Sequence, residues 1–264
     1  MPATIVTFLT DFGLADGYVG AMKGALLSVA PGALPVDITH EVPPGDVLAG
    51  AFLLATAVPW FPPGTIHVAV VDPGVGTGRR ELVARAGGRL FVAPDNGLLD
   101  LVLRDDPGAE VRRVANPRLH RPDPHPTFHG RDIFAPVAGA LARGVPLEEV
   151  GPPVDDPVRL PLPAPGLVAD GLEVPVLHVD RFGNVILGIR PAELRRELGD
   201  GPYRILAPVN VDEVRRVRTY GEIPPGALGL LDGSSGWTEI AADRAPAAER
   251  LAVRAGQRIR MSRR

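Results

Sequence analysis

The sequence predicts an α/β N-terminal domain with a central, mostly parallel sheet, followed by a smaller all-β domain. Three stretches carry this reading. The uncharged, β-branched run from Ile66 to Val71 drives into Asp72-Pro73, as a strand buried on both faces does when it delivers polar groups to a sheet edge. A strand, an acidic loop and a helix open the chain, the first unit of a doubly wound fold. After a proline-rich stretch at 150–166, short strand patterns replace helical ones. At 264 residues and 45% apolar, the chain can bury two cores.

In order, Ala3–Leu9 reads as a buried strand and Thr10–Gly17 as a loop bearing Asp11 and Asp16. A helix from Tyr18 to about Ala30 stops at Pro31-Gly32. Leu34–Thr39 is a short strand. Asp46 caps a helix at Val47–Val58, and the strand Thr65–Val71 follows. Glu81–Ala86 and Arg89–Val92 form a hairpin through Gly87-Gly88, and a short helix follows Ala93–Leu99. An irregular loop at 116–126 leads to the helix Ile133–Arg143, with Asp132 as its cap and Pro136 tolerated in its first turn. The six prolines of 150–166 mark an interdomain linker or long extended connection. Strands are then expected at Leu172–Val179, Asn184–Ile189, Tyr203–Leu206, Ala227–Leu231, Trp237–Ala241, Leu251–Val253 and Arg258–Met261. With one helix at Pro191–Leu198, they suggest a small barrel or sandwich.

Composition narrows the chemistry. The net charge of −3 offers no basic field for nucleic acid or an anionic membrane, which favours a small-molecule partner. With no cysteine, disulfides, thiolate nucleophiles and cysteine zinc sites are excluded, and Lys23 is the single lysine available for Schiff-base chemistry. His40 and Glu41 are adjacent, so in a strand they face opposite ways; structural hydrogen bonding fits better than a metal pair, and no metal set emerges. The N-terminus reads as a strand rather than a signal peptide, and the apolar tract 49–61 is too short to span a bilayer, so a cytoplasmic protein is expected.

Asp72 and Arg79, seven residues apart across a loop that cannot be helical, are the first candidates for chemistry; an ordinary turn with an exposed ion pair is the alternative. Gly74-Val75-Gly76-Thr77-Gly78-Arg79-Arg80 matches neither a phosphate-binding loop nor a dinucleotide fingerprint, because the required residues are missing. Gly233-Ser234-Ser235-Gly236 lacks the strand-to-helix setting of a serine nucleophile and suits a turn whose N–H and hydroxyl groups hold a carboxylate. Asp180-Arg181-Phe182-Gly183-Asn184 combines an anion, an aromatic ring and an amide, suited to a cationic amine and a planar base, or else forms a plain hairpin turn.

Five motifs then occur together and in order: Thr10-Asp11-Phe12-Gly13 with Asp16–Gly20, Asp72–Thr77 with Arg79-Arg80, Ala93–Gly97, Phe128-His129-Gly130-Arg131-Asp132 and Phe182-Gly183-Asn184. Together they make the chain resemble the S-adenosyl-L-methionine (SAM) hydroxide adenosyltransferases, the SAM hydrolases related to the SAM-dependent fluorinase and chlorinase. The resemblance implies an α/β domain at 1–165 and a C-terminal β-barrel at 170–264. It also implies a homotrimer whose active sites lie between the N-terminal domain of one subunit and the C-terminal domain of the next.

The implied reaction is attack of water or hydroxide on the ribose C5′, giving adenosine and L-methionine, with SAM as substrate and no cofactor. The resemblance places the catalytic set on Asp72, Arg79 and His129. Asp11 would hold the ribose diol, Asp16 and Asp180 would face the methionine ammonium, Phe182 and Asn184 would contact adenine, and Ser234 the methionine carboxylate. Phe128 joins the substrate-binding set, and Arg80 is left as support. Halogenases carry an arginine where this chain has Ser235, and an uncharged residue at the position of Asp72, where an anion would repel halide; the hydrolase pattern therefore fits better. A halogenase making 5′-halo-5′-deoxyadenosine and a non-catalytic adenosine- or SAM-binding module are the alternatives.

Overall fold

The computed structural model describes residues 3–162 and 164–264; Met1 and Pro2 of the N-terminal stretch, and Pro163 of the proline-rich connection, lie outside the described residues. The chain forms two compact units, Met1–Leu160 and Pro161–Arg264.

The first unit alternates β1 (Ile5–Thr10), α1 (Tyr18–Val29), β2 (Leu34–Thr39), α2 (Val47–Ala57) and β3 (Ile66–Val70). It continues through the hairpin β4 (Glu81–Ala86) and β5 (Arg89–Pro94), then α3 (Asp100–Arg104), β6 (Glu110–Arg113) and α4 (Ala135–Ala142). The strands lie in the order β2-β1-β3-β5-β4-β6. The first four run parallel, and β4 is antiparallel to both its neighbours. Every residue of β3 is buried, as an uncharged run at the centre of a parallel sheet requires. Val6, Phe8, Val68, Val70 and Val92 pack with Met22 and Leu26 of α1 and with Phe134, Val137 and Ala138 at and after the start of α4. Asp46 caps α2 as expected, accepting from Ala49 N at 2.9 Å.

Asp132 is not a helix cap. It lies inside a π-helical turn, Gly130–Phe134, that precedes α4, and its carboxylate takes the side chains of Arg131 and Arg121 and the His125 backbone N–H. β6 was not foreseen because its sequence, Glu-Val-Arg-Arg, buries only Val111 and shows no apolar alternation. The proline-rich stretch is fastened to the first unit through Leu160: Asp95 accepts from Val158 N at 2.8 Å, and the fully buried Asp100 accepts from Leu160 N at 3.0 Å and from Arg159.

The second unit comprises β7 (Gly166–Val168), β8 (Gly171–Val179), β9 (Val185–Leu187), α5 (Pro191–Leu198), β10 (Tyr203–Ala207) and β11 (Val211–Arg216). It ends with β12 (Leu228–Asp232), β13 (Thr238–Ala242), α6 (Ala247–Leu251) and β14 (Arg258–Arg263). The order β14-β10-β11-β12-β13-β9-β8 closes through the β14–β8 pairing into a seven-stranded barrel, with β7 added outside on β8. Its interior holds Val174, Val176, Leu187, Tyr203, Leu230, Ile240 and Met261. The strand expected at Leu251–Val253 is instead the end of α6: Ala247-Ala248-Glu249-Arg250-Leu251 are strong helix formers, and Ala252 leaves the helix in the left-handed region at φ 52. Like β6, β11 escaped notice because it buries only Val214 among charged residues. Among the described residues no helix is long and apolar enough to cross a membrane.

His67, at the centre of β3, is wholly buried. It stacks on Phe91, shares a 2.7 Å hydrogen bond with Thr7 Oγ1 through Nδ1, and leaves Nε2 without a partner among the described residues. Burial, and secondarily the charge of Arg89, pushes its pKa down to about 4. The unfolded chain therefore takes up a proton near pH 6.5 that the folded chain refuses, so stability falls as pH drops from about 6.5 towards 4. The loss reaches about 3 kcal/mol, since each pKa unit is worth about 1.4 kcal/mol. Urea unfolding across this window should show that slope in the wild type, and a His67→Phe variant should flatten it.

Candidate active site

The site grows from the carboxyl ends of two neighbouring parallel strands. Thr10 of β1 pairs with Val70 of β3, so the residues that follow, Asp11 and Asp72, emerge at the same sheet edge. Asp11 Oδ2 accepts from Gly45 N at 2.8 Å, which ties the first loop to the approach of α2. Beyond Asp72 the glycine-rich loop returns to Arg79 and enters β4.

Arg79 is the hub, with its side chain 9% exposed. Its Nε lies 3.0 Å from both Asp72 oxygens and its Nη2 donates to Asp72 Oδ2. Nη1 donates to Glu81 Oε1 at 2.8 Å, and Nη2 also reaches His129 Nδ1 at 2.9 Å. The guanidinium sits 5.4 Å from the centre of the Phe134 ring. His129 Nδ1 is also 3.2 Å from Glu81 Oε1. Burial first, then the Arg79 charge, lowers the His129 pKa against the opposing pull of Glu81 and Asp72, so the ring is neutral at neutral pH.

A cavity of about 270 Å³ is lined by Asp11, Phe12, Asp72, Phe128 and His129, among others. Phe12, Thr127 and Phe128 also line a second cavity of about 430 Å³ with Tyr18 and Arg131. Phe12, Tyr18 and Phe128 meet edge-on at 5.4–6.1 Å between ring centres, and Arg131 lies 4.9 Å over Phe128. This apolar wall with few polar groups is the ordinary make-up of a small-molecule site. Arg80 binds Asp95 and Asp156. Asp16 is exposed on the loop before α1, where Gly17, not Asp16, occupies the N-cap position. Among the described residues no His, Asp and Glu group is arranged to hold a metal ion.

Asp180, Phe182, Asn184 and Ser234 all belong to the second unit. Asp180 Oδ1 accepts from the backbone N–H groups of Phe182 and Asn184, and its Oδ2 accepts from Asn184 Nδ2 at 2.9 Å. This is the turn its composition suggested, and it presents Phe182 78% exposed. Ser234 is exposed in a second turn, closed by Gly236 N to Gly233 O at 2.9 Å. Beside it the Arg190 guanidinium lies 3.7 Å over the Trp237 ring.

The SAM hydroxide adenosyltransferase N-terminal domain profile matches residues 6–151, and the C-terminal domain profile matches residues 174–260. The chain belongs to the SAM hydroxide adenosyltransferase family. Proteins named (R)-S-adenosyl-L-methionine hydrolase from Salinispora tropica and Salinispora arenicola are 43% and 44% identical to it. The first match covers 99% of this chain and 98% of the relative, the second 97% of each. Fluorinases match at lower identity. An uncharacterized conserved protein from Thermotoga maritima has a solved structure with a TM-score of 0.89 at 36% identity, covering 98% of this chain and all of that one.

Two acidic residues of this family member escaped the sequence reading. Glu81 had read only as the start of a strand, yet it follows Arg79 by two residues, the spacing that puts side chains on one face of an extended segment. Glu239, on β13, is buried and accepts from Tyr220 Oη at 2.8 Å; burial raises its pKa and the Asp180 charge adds to that. A carboxylate two residues into an apolar strand was the available signal.

Gly76 lets the Asp72 loop close on the segment that carries His129. Its φ is +76, and a Cβ there would stand 2.5 Å from the Pro126 carbonyl oxygen. Gly76→Ala should therefore separate Arg79 from His129. Crystal structures of the variant should show the 2.9 Å contact lengthened, with the secondary structure measured by circular dichroism unchanged.

Proposed function

We propose that this protein hydrolyses SAM to adenosine and L-methionine by in-line attack of water on the ribose C5′. The observation that supports it best is the convergence of Asp72 and His129, both bonded to Arg79, on one cavity shared with Asp11 and the Phe128 wall. Asp11 holds the ribose diol. The second unit supplies Phe182 and Asn184 to adenine and Ser234 to the methionine carboxylate, while Asp16 and Asp180 face the ammonium. In this reading the 1–165 domain handles the nucleophile and the 170–264 barrel holds adenine and methionine. The protein is cytoplasmic and works as a homotrimer, with each site shared between neighbouring subunits.

The chemistry needs neither cofactor nor metal, because the sulfonium departs as a neutral thioether. The demand falls on the nucleophile. One guanidinium at ~4 Å in an effective dielectric of ~20 contributes ~4 kcal/mol, about three pKa units against ~15.7 for water, so Arg79 does not produce free hydroxide at neutral pH. Water itself attacks. The oxygen gains its bond to C5′ while the C5′–S pair moves to sulfur, and the resulting oxonium is acidic enough to lose its proton to the Asp72 carboxylate. Arg79 and His129 orient the water and balance charge, and holding the reactants in line supplies much of the rate.

Wild-type protein incubated with SAM should release adenosine and methionine in equal amounts, with one labelled oxygen in adenosine when the solvent is ¹⁸O-water. Recovery of intact SAM, or of halo-deoxyadenosine when halide is added, would refute the reading. Asp72→Ala and His129→Ala should each lower adenosine release by about 10²-fold or more while SAM binding persists. Shared sites make a further demand: mixed trimers of Asp72→Ala and Asn184→Ala subunits should recover part of the activity that neither variant has alone.

A further inference from the structure

Asp72 occupies Nε and Nη2 of the Arg79 guanidinium and leaves Nη1 to be accounted for. Glu81 takes it at 2.8 Å, with its side chain 17% exposed. A planar guanidinium held by carboxylates on two edges cannot rotate about its own axis, and the remaining Nη2 hydrogen is aimed at His129 Nδ1, 2.9 Å away. Arginine has donors only, so Nδ1 must accept, and the single proton of the neutral ring must sit on Nε2. Glu81 Oε1 also lies 3.2 Å from Nδ1, where its charge and a hydrogen bond favour a proton on that nitrogen, but the shorter 2.9 Å contact with Arg79 Nη2 requires Nδ1 as acceptor.

We infer that Glu81 is a positioning residue: by holding Arg79 Nη1 it turns Nη2 onto His129 and fixes the imidazole proton on Nε2, so that His129 donates to the attacking water and Asp72 accepts its proton. This rests on the hydrolysis reading. The step balances: the water oxygen bonds C5′, the C5′–S pair goes to sulfur, the proton passes to Asp72, and His129 keeps its own. A proton added at Nδ1 would face the Arg79 N–H and break the array, so activity should fall at low pH as His129 titrates. The charged groups facing the ring are Arg79, Glu81 and Asp72. Arg79 disfavours the added proton, whereas both carboxylates favour it. Removing the Glu81 charge therefore moves the acid limb to lower pH.

The test joins ¹⁵N-histidine spectra of the intact protein to steady-state kinetics. Wild type should show His129 with its proton on Nε2, and Glu81→Gln should show mixed tautomers. Its kcat should fall at least about tenfold, as tautomer errors do, with KM for SAM within about twofold and the acid limb displaced downward. Glu81→Asp should recover part of kcat, and it stands in for the glutamine variant if that one does not fold. A wild-type proton on Nδ1, or a Glu81→Gln enzyme with unchanged kcat and acid limb, would overturn the inference. If the wild type shows the Nε2 proton yet makes no adenosine, the hydrolysis reading falls and the tautomer assignment stands.

Discussion

A nearly buried guanidinium is tolerated only if its charge and its donors are all met, and that requirement at Arg79 shapes this edge of the first unit. Two carboxylates from different segments and one imidazole meet it. Each partner is useful only where its own segment brings it: Asp72 from the end of β3, Glu81 from the first position of β4, His129 from the approach to α4. Loss of any one would leave a desolvated charge or donor uncompensated, so the loops around the cavity are held by electrostatics as much as by packing.

The sheet makes this arrangement possible. Parallel neighbours β1 and β3 release their chains at one edge, which juxtaposes Asp11 and Asp72 without any contact between their own elements being specified locally. The antiparallel strand β4 then starts at that same edge, beside the last residues of β5, so the arginine before it and the glutamate opening it meet Asp72 and His129 there. A chain that continued the parallel pattern would have delivered the start of β4 to the far edge.

Much of this was legible in the residues. The run Ile66–Val71, the Asp46 cap and the Gly87-Gly88 hairpin follow from local rules, and β2 and α5 have the bounds their patterns implied. The charged strands β6 and β11 were not, because sheet neighbours rather than alternation hold them. Glu81 was hidden because strand membership explained it sufficiently; only its distance to Arg79 and His129 shows a second task. The turn at Asp180 was readable from composition, whereas Glu239 needed the barrel to bring Tyr220 and Asp180 near it. Asp132 looked like a cap because Asp before an apolar helix usually is one, and the π-helical turn overrode that preference.

That turn has a consequence for how the cavity is tuned. A π-helical turn holds one residue more than an α-helical turn, and one residue corresponds to about 100° of rotation about the helix axis. The extra residue within Gly130–Phe134 thus sets the angular phase between α4, anchored in the core, and the Phe128-His129 pair ahead of it. Phase changes in steps of a whole residue while packing adjusts continuously. The orientation of the imidazole towards the sheet edge is therefore a counted property of the chain, insulated from small shifts in the core beneath it.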